Sequence, residues 1–483
     1  MFKLKTSAAN PRLNLRLSAL MGWATILGFV ALVTLALLAH AGGALNYLYP
    51  VAAFAVGGFL YWCYPGLYLG FTFWLWFLTP EVRRLVDYQQ GWNPESPVML
   101  APYLVTALIF FTVLRHLPKL QLRLFFPFGL VFSSLFYGYS VGVFREGGPL
   151  AATLDLLIWL APVLISFHLL VHWRSYPRNY WIIQRTFVWG VLVLGLYGLL
   201  QFFYLPAWDR NWMLNAPIDA IGLPEPLEVK VFSTLNAPGP FAVVMMAGLL
   251  LLFTGRGALR WLAAGPGYAT FLLSLVRSAW VGWVVGVFLL LVQIRGLRRL
   301  RLLGVGLLFL GVLLPIITLE PVTNLVSERL QTFTSLEQDA SYRARVDLYA
   351  QQLPSSVLTL VGEGLGSTGA GSAVASPVGE RGGYDSGIIN TFITLGFIGT
   401  AFYAAGMAML FVYGFPSRAH PKESLIVAYS VAISALTQLV FTSAQNGVTG
   451  VILWGFLGLA VAGKAHAKHY PPWKGNSDET TAG

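Results

Sequence analysis

The sequence predicts an all-α polytopic integral membrane protein of about fourteen transmembrane helices, with one large periplasmic loop containing short helices. Three observations predict it. Only 11% of the 483 residues are charged and 56% are hydrophobic, against about 25% charged in a soluble domain. A soluble fold of this length could not hide so much apolar surface, whereas a bilayer solvates it. The apolar stretches are continuous rather than alternating, which fits helices and not barrel strands. Basic residues are shared unequally between successive connections, as the positive-inside rule expects of a chain threaded back and forth.

The apolar runs lie near 19–39, 45–62, 66–80, 98–114, 125–144, 150–172, 186–206, 237–254, 261–275, 279–294, 302–319, 387–415, 424–441 and 448–463. Most reach the roughly 17–25 residues that cross a bilayer; the run at 66–80 and the pair flanking Arg277 are short. The first run lacks a small-residue cleavage site and reads as a retained helix, not a signal peptide. With the N-terminus inside, 21 of the 31 basic residues fall in inner segments, and 16 of the 20 acidic residues fall outside. Both termini are then cytoplasmic. The net charge of +11 is a topology signal and not a nucleic-acid footprint.

This topology divides the chain into an N-terminal bundle (1–236) with outer loops 81–97 and 207–236, a second membrane region (237–463) holding the outer loop 320–386, and a polar tail (464–483). The single cysteine, Cys63, excludes an intramolecular disulfide and is expected as a small packed residue at a helix end. Within the large loop, Ser341 to Leu353 reads as a helix lying on or dipping toward the membrane. Arg345, Tyr349 and Gln352 share one of its faces, with Arg343 and Asp347 on another. Gly362 to Gly387 carries nine glycines and reads as flexible loop; it lacks the Gly-Lys-Ser/Thr of a nucleotide-binding turn.

Nine of the ten outer basic residues are arginines: Arg83, Arg84, Arg145, Arg210, Arg277, Arg329, Arg343, Arg345 and Arg381; Lys230 is the tenth. Arginine grips phosphate oxygens with a planar fork and stays charged when partly desolvated, so arginines held against the positive-inside bias point to a polyanion. The alternative for each is pairing with an outer acid. Arg277 stands between two apolar runs in SLVRSAWVGW, a costly place unless it faces a protein-lined cavity. Asp155 lies about a turn inside its run, where a helix–helix hydrogen bond is the simpler reading. Metal chemistry has no visible ligand set: there is no HExxH and no outer Asp-x-Asp, and the histidines are scattered. No cofactor is expected.

The order of features resembles the bacterial O-antigen ligase and polymerase class, membrane glycosyltransferases of the C superfamily that use polyprenyl-diphosphate-linked sugars. Four stretches carry the resemblance. KVFSTLNAPGPFA (from Lys230) looks like the family's basic residue, small-residue turn and helix opening, and SLVRSAWVGW looks like its Ser-Arg helix junction. RVDLYAQQL followed by GEGLGS looks like its arginine–aromatic helix and glycine turn. DSGIINTFITLGFIG looks like the helix after the great periplasmic loop. Two positions depart from the ligase pattern: Lys230 stands for an arginine, and Asp385-Ser386 stands for His-Asn eleven residues before Gly396.

The resemblance implies a metal-independent, inverting glycosyltransferase in the bacterial inner membrane, polymerizing oligosaccharide repeats for O-antigen, capsule or exopolysaccharide. A ligase transferring glycan to a lipid A-core acceptor is the alternative. Arg277 and Arg345 would stabilise the departing diphosphate and Asp385 would act as base. Lys230, Arg343, Tyr349, Arg83 and Arg84 would bind substrate. The partners would be the lipid-linked donor, an acceptor glycan or glycolipid and the bilayer, without nucleic acid. A lipid-linked oligosaccharide or anion transporter is the rival, but it should concentrate polar residues at midplane in two related halves. Here they crowd the outer face.

Overall fold

The computed structural model describes residues 11–116, 122–145, 147–216, 221–255, 257–294, 296–317, 340–368, 386–416 and 422–470. Among the described residues all regular structure is helical, apart from one isolated antiparallel bridge between Gly222 and Val229. In chain order the helices are α1 (Pro11–Leu38), α2 (Gly42–Cys63), α3 (Pro65–Gln90), α4 (Ala101–Ala107), α5 (Phe110–His116), α6 (Leu122–Val143), α7 (Gly148–Val171), α8 (Tyr176–Tyr204) and α9 (Ala207–Asn215). They continue with α10 (Pro238–Leu252), α11 (Leu259–Leu273), α12 (Arg277–Gln293), α13 (Leu297–Ile317), α14 (Ala340–Leu358), α15 (Gly387–Gly414), α16 (Glu423–Thr437) and α17 (Gly447–His469).

Nine helical stretches among the described residues are long and apolar enough to cross a bilayer. With α4 and α5 counted as one stretch, Pro97–His116, these are spread from α1 to α17, so the chain has the build of a polytopic membrane protein. Helices α10 and α12 are apolar but shorter, at 15 and 17 residues.

Helix α17 is the central post, buried along almost its whole length. Gly458 and Gly450 bring its backbone against Ser166 and Pro162 of α7, at distances where any side chain would collide. Close approach through small residues is how helices associate where lipid removes the hydrophobic drive. The buried Trp454 indole donates to the Tyr403 hydroxyl of α15 at 3.0 Å, satisfying a polar group that hydrocarbon could not.

Three stretches differ from the sequence expectation. The segment 81–97 is not all loop, because α3 continues to Gln90 before Gly91, at φ 96°, ends it. Cys63 does sit at a helix end but is exposed. The glycine-rich stretch, over its described residues, is a strap packed between helices. The amides of Glu363 and Gly364 donate to the carbonyls of Ile393 and Thr394, and Leu365 donates to Gly138. In return Phe397 and Ile398 donate to Thr359 and Leu360, because α15 is broken at Gly396 (φ 65°, ψ −178°) and its peptide groups are free to pair sideways. Gly364 and Gly366 have φ near +90° and lie against the backbones of α6 and α7. These glycines supply left-handed backbone and contact distance, not flexibility. Non-helical backbone at such depth is tolerated because protein buries it and satisfies its polar groups.

Candidate functional site

The strap, the ends of α3 and α8, and the starts of α12, α15 and α17 meet at one end of the bundle. The segment from Lys230 to Ala237 is tied there on three sides. The Val231 amide donates to the Leu273 carbonyl at 3.0 Å, the Thr234 hydroxyl donates to the Phe77 carbonyl at 2.7 Å, and the Ser233 hydroxyl donates to the Leu194 carbonyl at 2.6 Å. The fully buried Gln201 accepts from the amides of Phe232 and Ser233 at 3.0 and 2.8 Å, which fixes which way its amide group points. Ser233 itself is held at φ 52°, an uncommon conformation for a residue with a β-carbon.

Leu273 ends α11, and a short left-handed link through Leu275 (φ 54°) leads to Arg277 at the first turn of α12. The indole of Trp280 donates back to the Phe271 carbonyl at 3.2 Å, locking this junction. One residue past Arg277, the Ser278 carbonyl accepts from the Gln438 side chain at 3.0 Å. Gln438 opens the turn 438–440 that follows α16, and Phe441 ends it. The guanidinium of Arg345 on α14 lies over the Phe441 ring, 5.7 Å from its centroid. The segments bearing Lys230, Arg277 and Arg345 are thus linked through their neighbours, Val231 to Leu273, Ser278 to Gln438 and Phe441 to Arg345, although the first and last cations are 115 positions apart in sequence.

Helix α14 docks through the face expected from its spacing. Arg345, Tyr349 and Gln352 are half-buried, and Arg343 and Asp347 are exposed. The helix packs on α15. Tyr349 is committed to that docking: its hydroxyl shares a 2.7 Å hydrogen bond with Ser386, the N-cap of α15, and donates to the Val440 carbonyl at 2.9 Å. The Arg345 Nε is buried and has no hydrogen-bond partner among the described residues. At the start of α15, Thr368 of the strap donates to the buried Asn390 at 2.8 Å and Asn390 donates to Ser443 at 3.3 Å.

Arg84, Arg83 and Asp155 have structural partners as well. Arg84 is buried and pairs with Glu81 and with Asp209, the latter at 3.0 Å, and donates to the Ser233 carbonyl at 2.5 Å. Arg83 pairs with Asp87 at 3.4 Å, donates to the Asn93 carbonyl and lies over the Trp92 and Trp212 rings. Burial pushes the Asp87 carboxyl up to about 6, against the opposing pull of the neighbouring Arg83. Asp155 accepts from the Gly366 amide at 2.8 Å, so it holds the strap. Arg145 and Arg210 are exposed. Asp385, Arg329 and Arg381 lie outside the described residues.

Sequence reasoning missed Gln201, Gln438, Glu81, Tyr197 and Asp209. Gln201 and Gln438 stand inside apolar runs, and a glutamine there needs a partner. That is the signal by which they could have been found. At the opposite end of the bundle three of the scattered histidines come together, with ring centroids 4.3 Å apart for His168–His172 and 5.7 Å for His116–His172. No group of three His, Cys, Asp or Glu among the described residues is arranged to hold a metal. The chain matches no protein-family model, no curated protein and no solved structure.

Proposed function

We propose that this protein is a membrane glycosyltransferase that polymerizes polyprenyl-diphosphate-linked oligosaccharide repeats at the outer face of a bacterial inner membrane. In this reading the chain crosses the bilayer fourteen times with both termini in the cytoplasm, and 320–386 is a periplasmic loop. The observation that carries it is the tying together of the three segments that bear Lys230, Arg277 and Arg345, through Val231–Leu273, Ser278–Gln438 and Phe441–Arg345. Cations held in a partly dry setting stabilise charge growing on a diphosphate far better than they would in water. The bond from the anomeric carbon to the diphosphate oxygen breaks while a hydroxyl oxygen of the acceptor sugar attacks from the opposite side, inverting the centre. The hydroxyl proton passes to a carboxylate, with Asp385 the first candidate. The diphosphate leaves on its lipid carrier.

The test is reconstitution into vesicles with a polyprenyl-diphosphate oligosaccharide, reading product length on gels. Lengthened glycan is expected, and its yield should be unchanged by a metal chelator because arginines carry the anion-stabilising role. Loss of transfer in chelator, restored by magnesium or manganese, would remove that part of the mechanism. Movement of the intact donor across the vesicle without transfer would favour the transporter. Topology is checked separately. With Cys63 replaced by serine, a cysteine at Asp347, on the exposed face of α14, should react with an impermeant thiol reagent in intact spheroplasts. Protection there, with labelling only after lysis, would place α14 inside.

A further inference from the structure

A buried ion cluster clamps the Lys230–Ala237 segment, and its hydrogen atoms do not add up unless one carboxyl is protonated. Tyr197 of α8 stands between two carboxylates, 2.7 Å from Glu81 Oε1 of α3 and 3.1 Å from Asp209 Oδ2 of α9. The indole of Trp208 already donates to the phenol oxygen at 2.7 Å. Two oxygen–oxygen contacts need two hydrogens, and the phenol owns one. Asp209 Oδ2 also accepts from Gln201 at 2.8 Å, and Asp209 Oδ1 pairs with Arg84 at 3.0 Å, so Asp209 is served as an anion. Glu81 faces Arg84 with its other oxygen. The charged or titratable groups on the cluster are Arg84 and Glu81 from α3, Tyr197 from α8 and Asp209 from α9; Arg83 and Asp87 pair with each other one face away. Arg84 supplies one positive charge against two carboxyls; Arg84 and Asp209 are fully buried, the Glu81 side chain is 13% exposed, and Tyr197 is half-buried. A net negative charge there would be expensive.

We infer that Glu81 is held as a neutral carboxylic acid whose proton closes a clasp, Glu81–Tyr197–Asp209–Gln201/Arg84, that positions the Lys230-bearing turn. Glu81 donates to the phenol oxygen, the phenol donates to Asp209, and Asp209 holds Arg84 and Gln201. These two in turn grip Ser233: Arg84 donates to its carbonyl, and Gln201 accepts from its amide. Both contacts of the phenol then have a hydrogen, and the cluster is neutral. Burial raises the affinity of both carboxyls for protons, which agrees with one of them being protonated. Glu81 is a positioning residue: it acts on Lys230 only through the turn. That consequence rests on the glycosyl-transfer reading, whereas the protonation does not.

The test is thermal unfolding of the purified full chain in detergent across pH, for wild type and Glu81→Gln. A carboxyl with a raised value in the fold binds more protons folded than unfolded. Its contribution to stability is therefore present below the ordinary glutamate value of about 4.3 and is lost as pH rises toward the raised value. As pH rises above the ordinary glutamate range, wild type should lose midpoint temperature more steeply than Glu81→Gln, whose amide keeps a neutral donor at any pH. Parallel curves would overturn the inference, as would flattening by Asp209→Asn instead of Glu81→Gln. Should Glu81→Gln fail to fold, wild type labelled with ¹³C-carboxyl glutamate should show a protonated-acid carbonyl band in its infrared spectrum at neutral pH; its absence overturns the protonation. In the transfer assay, Glu81→Gln should move the alkaline limb of the rate to higher pH. If wild type transfers no glycan the functional reading fails, and the unfolding curves still decide the clasp.

Discussion

Arg277→Lys and Arg345→Lys should each cut glycan lengthening by roughly 10- to 100-fold while the proteins still insert and accumulate as wild type does. Lysine keeps the charge, so a site needing only positive potential would tolerate both changes. A guanidinium offers a planar set of donors to two phosphate oxygens at once, and an ammonium on a shorter effective reach does not. The structure adds a reason to expect different kinetic signatures. Arg277 follows a left-handed link pinned by Trp280 and Gln438, a rigid mount suited to the departing charge, and its loss should fall mainly on turnover. Arg345 rides on α14, a helix docked from outside the bundle through Tyr349, and its loss should fall on both turnover and donor affinity. The measurement is initial rate against donor concentration in reconstituted vesicles. Normal polymer from both lysine variants would refute the site.

The second large effect is structural. Gly396→Ala should lower the yield of folded protein severely, because two penalties fall on one methyl group. At φ 65° and ψ −178° a residue with a β-carbon is strained by about 1–3 kcal/mol. The methyl would also meet the Leu360 carbonyl oxygen at 2.6 Å, a contact no flexible side chain can relieve. The collision falls on the seam that pairs the strap with broken α15, so the strap would have to leave. Gly304→Ala on α13 is the control: no atom lies within 4 Å of its added carbon, and alanine favours a helix over glycine by about 1 kcal/mol. Fluorescence-detected gel filtration after a temperature ramp separates the two. Equal melting of Gly396→Ala and wild type would mean that the break in α15 is not required.

The sequence by itself determined the class of fold, because the solvent of an apolar run of twenty residues is decided by composition and length. It located the apolar helices for the same reason, though not the end of α3 or α9, and it determined the docking face of α14, since Arg345, Tyr349 and Gln352 recur at helical spacing whatever they meet. It also marked Arg277 as unusual, through the cost of a charge between apolar runs. Only the tertiary structure decided which charges are already spent. Arg84 reads in sequence as one more outer arginine, yet it is buried between Glu81 and an Asp209 that lies 125 residues away. Only the fold, too, turned GEGLGST from a loop into a packed strap, since what a glycine permits locally says nothing of the backbone that comes to lie against it. Periodicity and hydropathy report a residue's relation to its own helix and to solvent; partners distant in the chain are chosen by packing.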